Sequence, residues 1–160
     1  MSTVAVTEFI EASIGDVWRL LTDLAARPRW LSTADQSETL TTGPFGPGTR
    51  WRECRERPDG ELLVEEFLVT DCDPPHRLVL SSAGIGVDYR ITWTLRTVRR
   101  RRRACTAVTV EQEAEATAAY GRLVGFLLGG LAARAVESAL RRDLADLAHA
   151  LGPTDTPAAA

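Results

Sequence analysis

The final predicted helix, residues 120–151, constrains the fold most, because its apolar stripe changes in size along its length. Large residues recur at steps of three and four near its C-terminal end, which is typical of one buried helix face: Val136, Leu140, Leu144, Leu147 and Leu151. Toward the N-terminus the same stripe continues through Ala133 or Ala132, then Gly129, then Gly125 or Phe126. If a curved sheet lies below, these small residues leave a hollow, and a hollow is a place for a ligand.

The rest of the chain has the pattern of strands joined by short turns. A strand over 4–11 precedes a helix that begins after Ser13, and a short second helix or turn follows near Pro28. Six further strands are predicted over 33–42, 49–57, 61–71, 77–82, 87–98 and 105–115. Short connections make neighbouring strands antiparallel. We therefore predict an α+β fold, with a curved sheet of about seven strands around the long helix, as one domain over 1–152 with a disordered tail at 153–160.

Composition excludes several classes of protein. The formal net charge is -3, which gives no case for nucleic-acid binding, and all 19 basic residues are arginine, which we attribute to GC-rich bacterial codons. The three cysteines have no C-x-x-C spacing, which is typical of reduced thiols in a cytoplasmic protein. The apolar run at 123–133 is about half the length of a membrane span, so no stable membrane insertion is expected, and the N-terminus has no signal-peptide pattern.

No motif in the sequence indicates a metal or a cofactor. His76 and His149 stand apart from other ligand-type residues. There is no Ser-His-Asp pattern, phosphate loop or nucleotide fingerprint. We expect neither a metal site nor a cofactor.

The order of these elements resembles the START-like (SRPBCC) superfamily and, within it, the polyketide cyclase/dehydrase family. Five segments carry the resemblance, in addition to the leucines of the final helix: 12–18, 21–23, 28–30, 48–51 and 73–78. The resemblance implies a helix-grip fold with a pocket between the inner face of the sheet and the final helix. The family includes cyclases and carriers of hydrophobic ligands, so the fold alone does not select the function.

Four polar residues are candidates for catalysis because strand parity places them on the inner face. Trp51 should point inward, so Glu53 and Arg55 share its face and form a candidate acid/base and oxyanion-binding pair. Tyr89 and Gln112 bring a hydroxyl and an amide to the same face. Each has a structural alternative: Glu53 and Arg55 as cross-strand ion pairs of an edge hairpin, and Tyr89 and Gln112 as partners of backbone groups.

The predicted ligand-binding residues are aromatic, aliphatic or small. Phe45 lies in a glycine-proline loop, 43–48, and is predicted to gate the pocket. The full set is Trp30, Phe45, Trp51, Phe67, Ile91, Trp93, Val108, Val110, Gly125, Gly129 and Ala133.

The arginine run Arg99–Arg103 lies at a predicted hairpin tip. A solvated loop is the simpler interpretation, and contact with an acidic partner such as an acyl carrier protein is the alternative. Monomer and homodimer both remain open.

These observations favour a domain that binds a hydrophobic, carbonyl-bearing small molecule as a polyketide cyclase or dehydratase of secondary metabolism. Such a site would fold a flexible chain into a near-attack geometry. A non-catalytic carrier or sequestering protein for a lipid-like or aromatic metabolite is the second hypothesis. A protein-interaction module that uses the apolar helix surface near Leu127 and Leu128 is the third.

Overall fold

The described residues form one seven-stranded antiparallel sheet, two short helices and one long helix. The computed structural model describes residues 1–56, 60–84, 86–117 and 119–152; for residues 56, 119–129 and 131 the description is limited to the backbone. The elements are β1 (Ser2–Ile10), α1 (Ile14–Thr22), α2 (Arg27–Trp30), β2 (Gln36–Thr39), β3 (Arg50–Glu56), β4 (Leu62–Asp73), β5 (Arg77–Ala83), β6 (Val87–Arg100), β7 (Arg103–Ala116) and α3 (Ala119–Leu151).

The order of strands across the sheet is β1-β7-β6-β5-β4-β3-β2, and all neighbouring pairs are antiparallel. The predicted α+β class and helix-grip fold are confirmed. The predicted strand over 33–42 is shorter than expected, since β2 covers Gln36–Thr39 only. The predicted tail at 153–160 lies outside the described residues.

Local sequence signals account for the first helical segment. Ser13 caps α1, because its Oγ accepts a hydrogen bond of 3.1 Å from the backbone N–H of Asp16. Val17 and Leu21 are the buried residues of this helix. Pro28 occupies the first turn of α2, a position that needs no intrahelical N–H donor.

The core lies between the concave face of the sheet and the C-terminal half of α3. Leu140, Leu144 and Leu147 are buried there, and Val136 and Leu151 pack against the same cluster. The predicted leucine stripe is therefore the packing face of α3. Along the sheet, α3 lies closest to β1 and β7.

Candidate functional site

A cavity of about 270 Å³ lies between the sheet and α3. Its described lining divides into an apolar part and a polar part. The apolar residues are Leu63, Phe67, Leu80, Ile91, Trp93, Val136, Ala139 and Leu140. The polar residues are Arg27, Arg55, Glu65, Ser82, Tyr89, Gln112 and Asp143.

The β3–β4 hairpin brings charged residues to the concave face. Trp51 pairs with Phe67 across the two strands, and Glu53 pairs with Glu65. The Trp51 and Phe67 rings stack with centroids 5.2 Å apart, which anchors the inward face of the hairpin. Two carboxylates directly opposite each other repel, so this cross-strand pair requires a nearby cation.

Arg55 supplies that cation. Its Nη2 donates a hydrogen bond of 3.0 Å to Glu53 Oε2, and its Nε lies 3.4 Å from Glu65 Oε2. Its Nη1 lies 3.6 Å from Asp143 Oδ2 on α3 and 3.3 Å from the hydroxyl of Thr33. Arg55 therefore joins three carboxylates that come from three different elements.

Glu53 is the most enclosed carboxylate of the group, with 0% of its surface exposed. Its Oε1 accepts hydrogen bonds from Arg27 Nε and, at 2.9 Å, from Trp51 Nε1. The Arg27 guanidinium lies 5.6 Å from the ring centroids of both Trp30 and Trp51, so it is held by two aromatic rings as well as by Glu53.

The carboxyl groups differ in pKa because they differ in their partners. Burial by itself raises the pKa of Glu53, but the adjacent Arg27 and Arg55 and the Trp51 hydrogen bond outweigh burial and hold it below its ordinary value. Burial raises the pKa of Glu65 and of Asp143, and Arg55 offsets this only in part. Glu53 is therefore stabilised as an anion, whereas the other two hold a proton more readily than exposed carboxyls.

Tyr89 and Gln112 line the cavity from β6 and β7. The predicted binding residues Phe67 on β4 and Ile91 and Trp93 on β6 also line it. Glu53 is not among the described lining residues, and it is connected to the cavity through Arg27 and Arg55. Sequence reasoning missed three charged lining residues, Arg27, Glu65 and Asp143.

The other predicted binding residues lie elsewhere in the described structure. Val108 and Val110 are fully buried in the core. Trp51 is buried beside Glu53, and Phe45 packs against it with ring centroids 6.5 Å apart. Trp30 is half-buried next to Arg27.

The small residues of the helix stripe are less completely described. Ala133 is half-buried and is not among the described lining residues. Gly125 and Gly129 belong to the part of α3 for which only the backbone is described. Their predicted contribution to the pocket therefore lies outside what the structure describes.

Two other kinds of feature are absent from the described part of the chain. No cluster of three or more His, Cys, Asp or Glu side chains has an arrangement that would hold a metal ion. None of the helices there, α3 included, has the length and hydropathy of a membrane span.

A curved antiparallel sheet closed by a long C-terminal helix defines the class of START-like, helix-grip proteins. The sequence matches the family described as polyketide cyclase/dehydrase and lipid transport over residues 1–152, and the chain belongs to this family. No curated protein matches the sequence.

Solved structures with the same fold include proteins of three different descriptions. A START superfamily protein from Mycobacterium smegmatis has a TM-score of 0.75 at 14% identity, over 94% of this chain and 97% of that one. The di-domain ARO/CYC protein BexL, from the BE-7585A biosynthetic pathway, has a TM-score of 0.69 at 16% identity, over 94% and 50% of the two chains. DynU16, a putative protein in the dynemicin biosynthetic locus, has a TM-score of 0.63 at 18% identity, over 94% and 47%. This chain therefore spans about half the length of BexL and of DynU16, and similarity at these identities establishes the fold alone.

Proposed function

We propose that this chain binds a hydrophobic, carbonyl-bearing small molecule in the cavity and acts on it as a polyketide cyclase/dehydratase-like protein of secondary metabolism. The observation that carries the proposal is the division of the cavity into an apolar wall and a polar end. Phe67, Ile91 and Trp93 offer apolar surface to a ring or chain, while Arg55 and Tyr89 offer hydrogen-bond donors to carbonyl oxygens.

The size of the cavity limits the ligand. A volume of 270 Å³ lies just below the roughly 300–1,000 Å³ of typical ligand pockets. The cavity can hold a part of the ligand with about one or two rings, and a longer substrate would extend past the exposed Leu63. A fit of this kind holds a flexible chain in a near-attack geometry, which removes part of the entropic barrier to ring closure.

A non-catalytic carrier or sequestering protein is the alternative function. Glu53 already accepts hydrogen bonds from Arg27, Arg55 and Trp51. A carboxylate with three such donors has little capacity to move protons, and this favours the carrier function. A carrier requires the apolar wall, whereas an enzyme also requires a titratable group that contacts the ligand.

Binding can be tested with benzoylacetone, a hydrophobic 1,3-diketone with one aromatic ring. Isothermal titration and native mass spectrometry should show one bound molecule per chain. Ala139→Trp places a large ring at the cavity and should weaken binding at least tenfold. Ala145→Trp is the matched control, because Ala145 is exposed on the same helix and is not among the described lining residues.

Equal loss of binding in the two tryptophan variants, or no binding by the wild-type chain, would contradict the proposed site. Native mass spectrometry of the protein purified from its own host would then show whether a different molecule co-purifies.

We also propose that Arg99–Arg103 contacts an acyl carrier protein that presents the substrate. Arg101 and Arg102 form the two-residue loop between β6 and β7 with φ of 50° and 65°, a conformation that favours Asn-Gly over arginine. Arginine therefore occupies this turn against its local preference, and its charge complements an acidic partner.

The double variant Arg101→Asn/Arg102→Gly removes two charges while it suits the turn. Its affinity for an acyl carrier protein should fall at least tenfold in titration at low salt. Unchanged affinity would leave the simpler interpretation, a solvated loop.

A further inference from the structure

The polar end of the cavity holds more negative than positive charge. Two guanidiniums, Arg27 and Arg55, lie among three carboxyls, Glu53, Glu65 and Asp143. Glu53 accepts hydrogen bonds from Arg27 Nε and from Arg55 Nη2. The remaining charge of Arg55 is shared between Glu65 and Asp143, so one carboxyl there is not fully neutralised.

Glu65 and Asp143 differ in how firmly they are held. Asp143 Oδ1 accepts a hydrogen bond of 3.3 Å from Thr33, and the Asp143 side chain is 11% exposed. Glu65 is 29% exposed, and its one described polar contact is Arg55 Nε, at 3.4 Å. That nitrogen makes no hydrogen bond in the described structure, so the contact is an ion pair without a directed bond. Glu65 is thus the less constrained carboxyl that lines the cavity.

We propose that Glu65 is the group that exchanges a proton with a 1,3-dicarbonyl ligand, while the Arg55 guanidinium binds the enolate oxygen that develops. This inference rests on the proposed function and names the substrate class of the same site. Glu53 is then a positioning residue, because it fixes Arg55 and does not itself line the cavity.

The step needs no additional reagent. The Glu65 carboxylate removes a proton from the carbon between the two carbonyls, and the C–H electron pair forms the C=C bond of the enolate while a carbonyl π pair moves to oxygen. Arg55 donates hydrogen bonds to that oxygen; its described hydrogen bonds go to Glu53 and Thr33, and a guanidinium has five N–H groups. In a cyclisation the enolate carbon attacks a second carbonyl carbon of the same molecule, and protonated Glu65 gives its proton to the new alkoxide.

Burial is consistent with this role, since it raises the pKa of Glu65 and brings its proton affinity closer to that of an enolate. Asp143 has the same direction of shift, so the assignment between the two depends on their contacts and must be tested by substitution.

The test is the exchange of the central C–H of benzoylacetone for deuterium in D₂O, followed by proton NMR with the whole chain present. The wild-type chain should accelerate exchange at least 100-fold over buffer, and Glu65→Gln should lose about 100-fold of that rate. Glu65→Asp keeps the carboxyl and should be faster than Glu65→Gln. Glu66→Gln is the matched control, because Glu66 is the next residue of β4 and pairs with Arg50 and Arg52 on the other face.

Binding of benzoylacetone, measured on the same samples by titration, separates the two proposals. Wild-type binding without accelerated exchange would overturn this inference and favour the carrier. Exchange that is unchanged in Glu65→Gln but lost in Asp143→Asn would overturn the assignment to Glu65. Absence of wild-type binding would refute the proposed function itself. In the Glu53→Gln variant the pH dependence of exchange should keep its shape but shift to lower pH, because the Glu53 charge helps to raise the pKa of Glu65. Its rate should fall through weaker binding of the enolate, as expected for a positioning residue.

Discussion

The structure predicts that Glu53→Gln destabilises the protein far more than an ordinary surface substitution. Glu53 is completely buried and receives donors from Arg27, Trp51 and Arg55. The amide of glutamine has nearly the same shape, and its oxygen still accepts one of these hydrogen bonds. Its neutral charge, however, leaves the Arg27 guanidinium, which is only 6% exposed, without the counter-ion that it contacts.

The magnitude follows from the cost of an unpaired buried charge. Removing one partner of a buried ion pair costs about 3–5 kcal/mol. The retained amide hydrogen bond places Glu53→Gln near the lower end, at about 3 kcal/mol. In a domain of this size each kcal/mol lowers Tm by about 2–4 °C, so the expected decrease is roughly 9 °C.

Urea denaturation followed by tryptophan fluorescence and far-UV circular dichroism measures this loss. The midpoint should fall at constant m value if the transition remains two-state. Glu66→Gln is the control, because its ion pairs with Arg50 and Arg52 are at the surface and should contribute less than about 1 kcal/mol.

A double variant tests the cause of the loss. Arg27→Met/Glu53→Gln removes both members of the pair, so its destabilisation should be smaller than the sum of the two single variants by about 1 kcal/mol or more. If Glu53→Gln costs no more than Glu66→Gln, or if the double variant is strictly additive, the buried pair does not stabilise the hairpin in the way described.

Stability should also depend on pH in two opposite directions. The pKa of Glu53 is lowered in the folded state, so its contribution is present above its unfolded pKa and is lost as pH falls through the folded pKa. The pKa values of Glu65 and Asp143 are raised, so their contribution is present at low pH and is lost as pH rises through their folded pKa. Stability should therefore increase as pH falls toward the ordinary carboxyl pKa, near 4, and decrease at still lower pH. In Glu65→Gln the stability measured by denaturation should increase less over the same pH range. A pH profile identical to that of the wild-type chain would contradict the raised pKa of Glu65.

Three further variants probe the turns and the core. Arg101→Asn/Arg102→Gly should raise stability by about 1 kcal/mol in urea denaturation, because both positions have positive φ; a loss would contradict the strain argument. Gly84→Ala should destabilise the chain and displace the Tyr89 ring, because a Cβ there would lie 2.9 Å from Tyr89 Cε2; an unchanged Tm and unchanged benzoylacetone affinity would count against it. Leu144→Ala should cost about 2–5 kcal/mol, because Leu144 is 0% exposed, and a loss below 1 kcal/mol would show that α3 is not fixed to the core.

The sequence predicts the strands of the cavity well where alternation is regular. Tyr89, Ile91 and Trp93 occupy alternate positions of β6, and period two is a local property that needs no tertiary information. The same parity places Gln112 on the cavity face of β7, opposite Ile91.

The missed charged residues differ in how visible they are. Asp143 lies between Leu140 and Leu144 on the apolar stripe, so the helical spacing alone indicates a carboxylate on the buried face of the helix. Glu65 faces Glu53 across a hairpin whose register can be approximated from its turn, and two opposed carboxylates indicate a cation between them. Arg27 has no such signal, because its position depends on how α2 docks beside Trp51.

The described cavity lies beneath the strands that α3 approaches less closely. The helix lies closest to β1 and β7, whereas the side chains that face the cavity from the sheet come largely from β3–β6. The described wall contributed by α3 is formed by Val136, Ala139, Leu140 and Asp143, which lie C-terminal to the stripe of small residues. Twist accumulates over a sheet of seven strands, and it is expected to carry the strands far from β1 and β7 away from the helix axis. Such twist is a collective property of the strand pairs, so the helical stripe indicates which face of α3 is buried, whereas the depth of the described cavity depends on the sheet as a whole.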